Sequence, residues 1–282
     1  MKKFIQAVVA FAMLIIPLVG VASPVQAASP NTMHPNIVGG TNATQQYGAV
    51  SIWNLNRNRC TAALIDRYWA LTTAHCTDLL APDQVTEIRA ASPNNTSGYQ
   101  EVGIAAFYTH PNYDPSLLKD DLALIKFKRP VVNNPSNNYG KPLALYGRTP
   151  TATTPLKMAG WGWVCEDTTN PNCAHPVNIL QELNMKLAPA SSCPAMWDPA
   201  KELCAVAADG THANGCYGDS GAPLVAKDYD NQWKLAGITS YDGDDWDTRS
   251  GCGNSPSGGP GSGVFVNVSK YIPWIVQTIC NN

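Results

Sequence analysis

An all-β fold, a sandwich or a barrel followed by one short C-terminal helix, is what this sequence predicts. Three observations carry the prediction. Short apolar, β-type runs recur along the chain, clusters of Asn, Gly, Pro and Asp separate them, and no helical periodicity intervenes before the last residues. The runs fall at 49–53, 62–72, 102–108, 122–127, 156–164, 180–187, 222–226, 233–239 and 264–268. Only 271–280 has helical spacing, with Ile272, Ile275 and Val276 on one face, the pattern of a helix packed on a core.

The 282 residues are 44% hydrophobic, enough for one large core or two modest ones without help from a metal or a cofactor, and none is expected. The formal net charge is −2 and the basic residues are scattered singly, which argues against nucleic acid or an anionic membrane as a partner. Lys2 and Lys3 precede an apolar run that carries Pro17, and Val25-Gln26-Ala27 follows as a small-x-small cleavage pattern. Residues 1–27 therefore read as a secretory signal, too short and interrupted for a membrane anchor. Residues 28–36, with Pro30 and Pro35, read as a short propeptide, and 37–282 as the folded part. The expected product is secreted, extracellular and monomeric.

Nine cysteines all lie beyond the signal, as suits a compartment in which disulfides persist. None has the paired spacing of a zinc site, and the odd count leaves one thiol over, assigned to Cys280 near the terminus.

A serine hydroxyl is a weak nucleophile, so acyl transfer by serine needs a base for its proton and a third group to orient that base. Gly218-Asp219-Ser220-Gly221 offers a serine between glycines, where the backbone can turn tightly and bring N–H groups toward a reacting oxygen. Thr73-Ala74-His75-Cys76 offers the histidine, and Asp121 opens the apolar Leu122-Ala123-Leu124 run. The order His, Asp, Ser and the absence of a Gly-x-Ser-x-Gly elbow exclude an α/β-hydrolase.

Taken in order, Ile37-Val38-Gly39-Gly40, the His75 segment, His110-Pro111-Asn112-Tyr113 with Asp121-Leu122-Ala123-Leu124, Gly160-Trp161-Gly162 and Gly218-Asp219-Ser220-Gly221 make the chain resemble the chymotrypsin/trypsin family of serine endopeptidases from Ile37 onward. The resemblance implies two antiparallel six-stranded β-barrels. It implies a triad of His75, Asp121 and Ser220, and an oxyanion hole from the N–H groups of Gly218 and Ser220. Protein or peptide substrates would be cleaved through an acyl-enzyme. Cutting before Ile37 would free an amine that pairs with Asp219. The family pattern further implies the disulfides Cys60–Cys76, Cys193–Cys204 and Cys216–Cys252, and Cys165 with Cys173 are paired by what remains. Asp120, His34, His110, His175 and His212 fall outside the motifs, Asp120 as a solvated neighbour and the histidines as surface or structural groups.

The chain departs from the family pattern at the primary pocket. Asn214 stands where trypsin-like members have Asp, so a strong tryptic preference does not carry over, and polar or basic P1 side chains are expected. By the family pattern Ser240, Tyr241 and Asp242 would occupy the substrate-binding stretch, with Asp242 where a wall glycine is usual, or Gly243 as that wall if an insertion shifts the register by one, and Gly263 would be the opposite wall. Asp242, Asp244, Asp245 and Asp247 form an acidic loop that suits a solvated turn or the attraction of basic side chains. Asn36, rather than Arg or Lys, precedes the activation site.

Overall fold

The computed structural model describes residues 37, 39–78, 80, 86–163, 177–242 and 261–282. Its strands are β1 (Thr41–Asn42), β2 (Ala49–Asn54), β3 (Arg57–Asp66), β4 (Trp69–Thr72), β5 (Thr86–Ala90), β6 (Gln100–Thr109) and β7 (Ala123–Phe127), then β8 (Leu156–Gly160), β9 (Gln181–Leu187), β10 (Glu202–Ala207), β11 (Pro223–Lys227), β12 (Trp233–Asp242) and β13 (Gly263–Asn267). A short helix α1 (Ala74–Asp78) follows β4, and α2 (Ile272–Asn281) ends the chain.

All strand pairs are antiparallel. The order β2-β3-β4-β7-β6-β5 closes on itself through β2 and β5, giving the first six-stranded barrel. The order β9-β10-β13-β12-β11-β8 closes through β8 and β9 into the second, with β1 added at its edge on β9. The predicted two-barrel fold with a C-terminal helix is the fold observed.

Strand alternation explains why the runs read as continuously apolar. Along β2 and β3, Val50, Ile52, Ala62 and Leu64 fill the first barrel. The alternate residues Ala49 and Ala63 point the other way and join Leu71, Leu124, Trp161, Val225, Ile238 and Val266 in a core between the barrels. In the second barrel Leu224 and Phe265 point inward with Ile37, Met158 and Leu203, while their neighbours Val225 and Val266 face the shared core. Both faces are buried, so neither needs polar residues.

Several expectations are corrected. The run 62–72 is two strands joined by a hairpin at Arg67 and Tyr68, because Asp66 caps the turn by accepting a 2.8 Å hydrogen bond from Tyr68 N. The run from 156 ends as a strand at Gly160, and Val164 lies outside the described residues. Strands β1, β5 and β10 were not anticipated. The core-facing stripe at α2 is its N-cap Tyr271 and Ile275, both buried, with Ile279 partly buried, at i, i+4, i+8, whereas Val276 is 51% exposed. Residues 1–36, which include His34, and His175 lie outside the described residues, as do Asp244, Asp245 and Asp247.

Candidate active site

The site is built where the barrels meet. His75 is carried on α1, one residue from Cys76, whose disulfide to Cys60 on β3 fastens the helix to the first barrel. Asp121 lies just before β7 and is fully buried. Its carboxylate accepts three hydrogen bonds, from the His75 backbone N–H at 2.9 Å, from His75 Nδ1 at 2.8 Å and from Ser240 Oγ at 2.6 Å. With Nδ1 donating to a carboxylate, the neutral ring presents its lone pair at Nε2, the atom a general base uses. The Ser240 bond comes from β12 of the second barrel, so Asp121 is held from both sides. Ser240 was expected to touch substrate, and nothing in its spacing points to this contact with Asp121.

Ser220 comes from the loop before β11. Its carbonyl accepts Thr61 N at 2.8 Å and lies 3.6 Å from Cys76 Sγ, which sets its backbone against the His75 helix. Among the described residues no hydrogen bond joins Ser220 Oγ to His75. Thr61 Oγ1 donates to Gly218 O at 2.9 Å, and Gly221 N donates to Thr239 O at 2.8 Å. Gly218 has φ +98°, a conformation that favours glycine. Among the described residues the N–H groups of Gly218 and Ser220 donate to no protein acceptor.

Asp219 points the opposite way, into the protein, and is fully buried. Oδ1 accepts from Gly162 N at 2.8 Å and Oδ2 from Cys216 N at 3.0 Å, and among the described residues it has no cationic partner. The Gly160-Trp161-Gly162 motif makes room for it, since a Cβ on Gly160 or Gly162 would lie 2.0 or 2.2 Å from its carboxylate oxygens. Burial pushes its pKa up to about 7, against the two N–H bonds that pull it down. Ile37 is itself fully buried and packs into the second-barrel core with Ala213 and Ala222, on either side of this loop.

Asn214 is buried, with Oδ1 accepting Gly215 N at 2.9 Å and Nδ2 donating to Asp242 Oδ1 at 3.3 Å. Asp242 is the cross-strand partner of Gly263, and a Cβ on Gly263 would lie 2.9 Å from Asn214 Oδ1. The three residues predicted to floor and wall a pocket thus do come together. Tyr241 does not share their environment, packing with Leu118 and Val264 and donating its hydroxyl to Glu202 at 3.0 Å.

Asp120, expected in solvent, is buried. It accepts Lys201 Nζ at 2.7 and 2.9 Å and the Tyr271 hydroxyl at 2.8 Å. Burial disfavours its charge, but those bonds outweigh burial and hold its pKa below the ordinary value. His110 packs edge-on against Tyr271 and Trp274, a structural role, and burial lowers its pKa, while His212 is exposed. The Cys193–Cys204 disulfide is present and Cys280 is a free, exposed thiol. Cys216 is disulfide-bonded, and Cys165, Cys173 and Cys252 lie outside the described residues. Cys60, Cys76 and a His75 nitrogen lie within 4.8 Å of one another, but sulfurs joined as a disulfide offer no thiolate to a metal.

Two closed β-barrels with an imidazole and a buried carboxylate paired at their junction place the chain among serine-type endopeptidases. The chain belongs to the trypsin family, whose family model, described as Trypsin, matches residues 37–275. It is 29% identical over 255 residues to a trypsin of Sarcophaga bullata, covering 88% of this chain and 91% of that one. It is 30% identical over 241 residues to the serine proteinase stubble of Drosophila melanogaster, covering 79% of this chain and 27% of that protein. It is 29% identical over 252 residues to transmembrane protease serine 9 of Rattus norvegicus, covering 86% of this chain and 22% of that protein. This chain therefore spans about a quarter of the last two relatives' length. Among the described residues no helix is long and apolar enough to cross a membrane.

Proposed function

We propose that this chain is a secreted endopeptidase that hydrolyses peptide bonds with His75, Asp121 and Ser220 and is switched on by cleavage before Ile37. The observation that carries the triad is the His75 Nδ1 bond to the buried Asp121 carboxylate. In this mechanism Nε2 of His75 takes the Ser220 proton as Oγ attacks the scissile carbonyl, and then delivers that proton to the leaving amine. Asp121 keeps the ring in the useful tautomer and stabilises its cationic form. The N–H groups of Gly218 and Ser220, which donate to no acceptor among the described residues, meet the developing oxyanion, and removing one such donor costs about 3 to 4 kcal/mol in comparable sites. Water then repeats the attack on the acyl-enzyme. A fluorophosphonate tests this directly. Labelling of the Ile37 form is expected at Ser220 and nowhere else, and a folded, unlabelled protein would mean a binding relative without catalytic power.

The proposed pocket takes polar or basic P1 side chains, and Asp242 rather than Asn214 supplies the preference for charge. Support comes from the Asp242 carboxylate standing beside the floor amide. Since hydrogen bonds to charged groups are worth about 1.5 to 3 kcal/mol, Asp242→Asn is expected to lower the ratio of Arg to Leu turnover by roughly ten- to a hundredfold. An unchanged ratio of kcat/KM values on paired peptide substrates would remove Asp242 from this role. The segments 1–27 and 28–36 remain proposed as signal and propeptide, and the protein as a monomer.

A further inference from the structure

The three consecutive residues that end in Asp121 are all held by the second barrel. Lys119 Nζ donates to both oxygens of Glu202, at 2.9 and 3.0 Å, and to the carbonyl of Met196. Asp120 takes Lys201 and Tyr271, and Asp121 takes Ser240. Each side carries a lysine followed by an acid, Lys119-Asp120 and Lys201-Glu202, and they pair crosswise, Lys119 with Glu202 and Asp120 with Lys201, with Glu202 the first residue of β10. Both carboxylates are buried, Asp120 at 7% and Glu202 at 4% exposure, so neither ion pair is a surface contact at its acidic end. Glu202 also accepts Asp198 N at 2.7 Å and the Tyr241 hydroxyl, which stays a donor because burial and then the Glu202 charge raise its pKa.

The segment needs holding. Leu118 has φ +49° and Asp120 φ +50°, left-handed conformations that non-glycine residues rarely adopt unless tertiary contacts impose them. Straightening either kink would displace Asp121, whose two bonds to His75 at 2.8 and 2.9 Å fix the ring.

We propose that Lys119 and Asp120 are positioning residues: with Glu202 and Lys201 they form a reciprocal ion-pair clamp between the barrels that sets the Asp121 carboxylate under His75. This rests on the reading of His75 as general base. The clamp acts on the reaction step because Asp120 is joined directly to Asp121 along the chain, and KM serves as the control because Lys119 and Glu202 also touch the Tyr241 hydroxyl next to Asp242.

The test compares Lys119→Gln, Glu202→Gln and the double variant, in the mature enzyme, by kcat, KM and the low-field proton resonance of the His75 Nδ1–H. Displacement of a catalytic group by about 1 Å can cost a hundredfold, so Lys119→Gln is expected to lower kcat about ten- to a hundredfold with KM within about twofold. The Nδ1–H resonance should shift or broaden in parallel. The double variant should be no slower than the worse single one, since the two side chains act as a unit. If Lys119→Gln does not fold, Lys201→Met, at the 43% exposed arm, is measured the same way with a smaller loss of kcat expected. A fall in stability with kcat and the resonance unchanged, or a loss confined to KM, overturns the clamp. An inactive wild-type enzyme without that resonance overturns instead the triad on which the clamp rests.

Discussion

Ser220→Ala is expected to lower kcat for peptide hydrolysis by about 10^4- to 10^6-fold and to leave unfolding unchanged within about 0.5 kcal/mol. The stability half follows from how Ser220 is held. Its contacts run through the backbone, the carbonyl to Thr61 N and the next residue's N–H to Thr239 O, and these survive truncation. His75→Ala should be nearly as damaging to kcat, because members of the proposed triad would work as one unit and their losses would not add. It should cost more stability, since Asp121 is fully buried and loses one of three hydrogen bonds while keeping those from the His75 backbone and Ser240. Steady-state kinetics on purified variants with matched circular dichroism decides the matter. More than about a tenth of wild-type activity in either variant would exclude these residues as nucleophile and base.

The second large effect concerns Asp219 and the proposed cut between Asn36 and Ile37. In the uncut chain the Asp219 carboxyl is buried with two N–H donors and, among the described residues, no cation. Its folded pKa of about 7 lies above the ordinary carboxylate value near 4. A raised pKa means that the stability from burying the neutral acid is present below about pH 4 and is lost as pH rises through about 7. The loss is on the order of 4 kcal/mol, at about 1.4 kcal/mol per unit. A form beginning at Ala28 should therefore be stabilised by Asp219→Asn at pH 8 and left nearly unchanged at pH 4. After the cut, a free ammonium at Ile37 gives the carboxylate its partner, and the same substitution reverses sign, destabilising the protein and abolishing activity. Urea unfolding at the two pH values and kinetics on the Ala28 form, the Ile37 form and the Ile37 form with Asp219→Asn supply all the comparisons. An Ala28 form that stays uncut yet matches the Ile37 form in activity would falsify the switch.

Much of the architecture was legible because burial on both faces turns strands into unbroken apolar runs, as in Leu124 and Ile125 of β7 or Val264 to Val266 of β13. The strands that escaped notice break that rule for local reasons. β5 is Thr-Glu-Ile-Arg-Ala, in which Ile88 and Ala90 face the barrel interior while Glu87 and Arg89 pair with each other on its outside. β10 opens with Glu202, whose charge reads as a loop until Lys119 is found beside it. The residues of the proposed site could be named for a different reason: each motif is a few adjacent residues whose chemistry is visible in the string. Asp120 was misplaced because its burial depends on Lys201, 81 positions away, and no local pattern announces such a partner. Ser240 gained its contact with Asp121 across 119 positions in the same way.

Strands buried on both faces leave the scaffold almost no neutral positions. A substitution at Val50 enlarges or crowds one core, and at its neighbour Ala49 the other. Exposed large side chains lie instead in connections, among them Leu55 at 61%, Leu117 at 53%, Tyr217 at 59% and Tyr229 at 93% exposure. Tyr217 is next to Gly218 and meets Trp163 edge-on, so one of these exposed positions borders the Ser220 loop itself. A library confined to such turns would explore new substrate preferences without spending stability, whereas one of equal size spread over the strands would mostly yield unfolded protein.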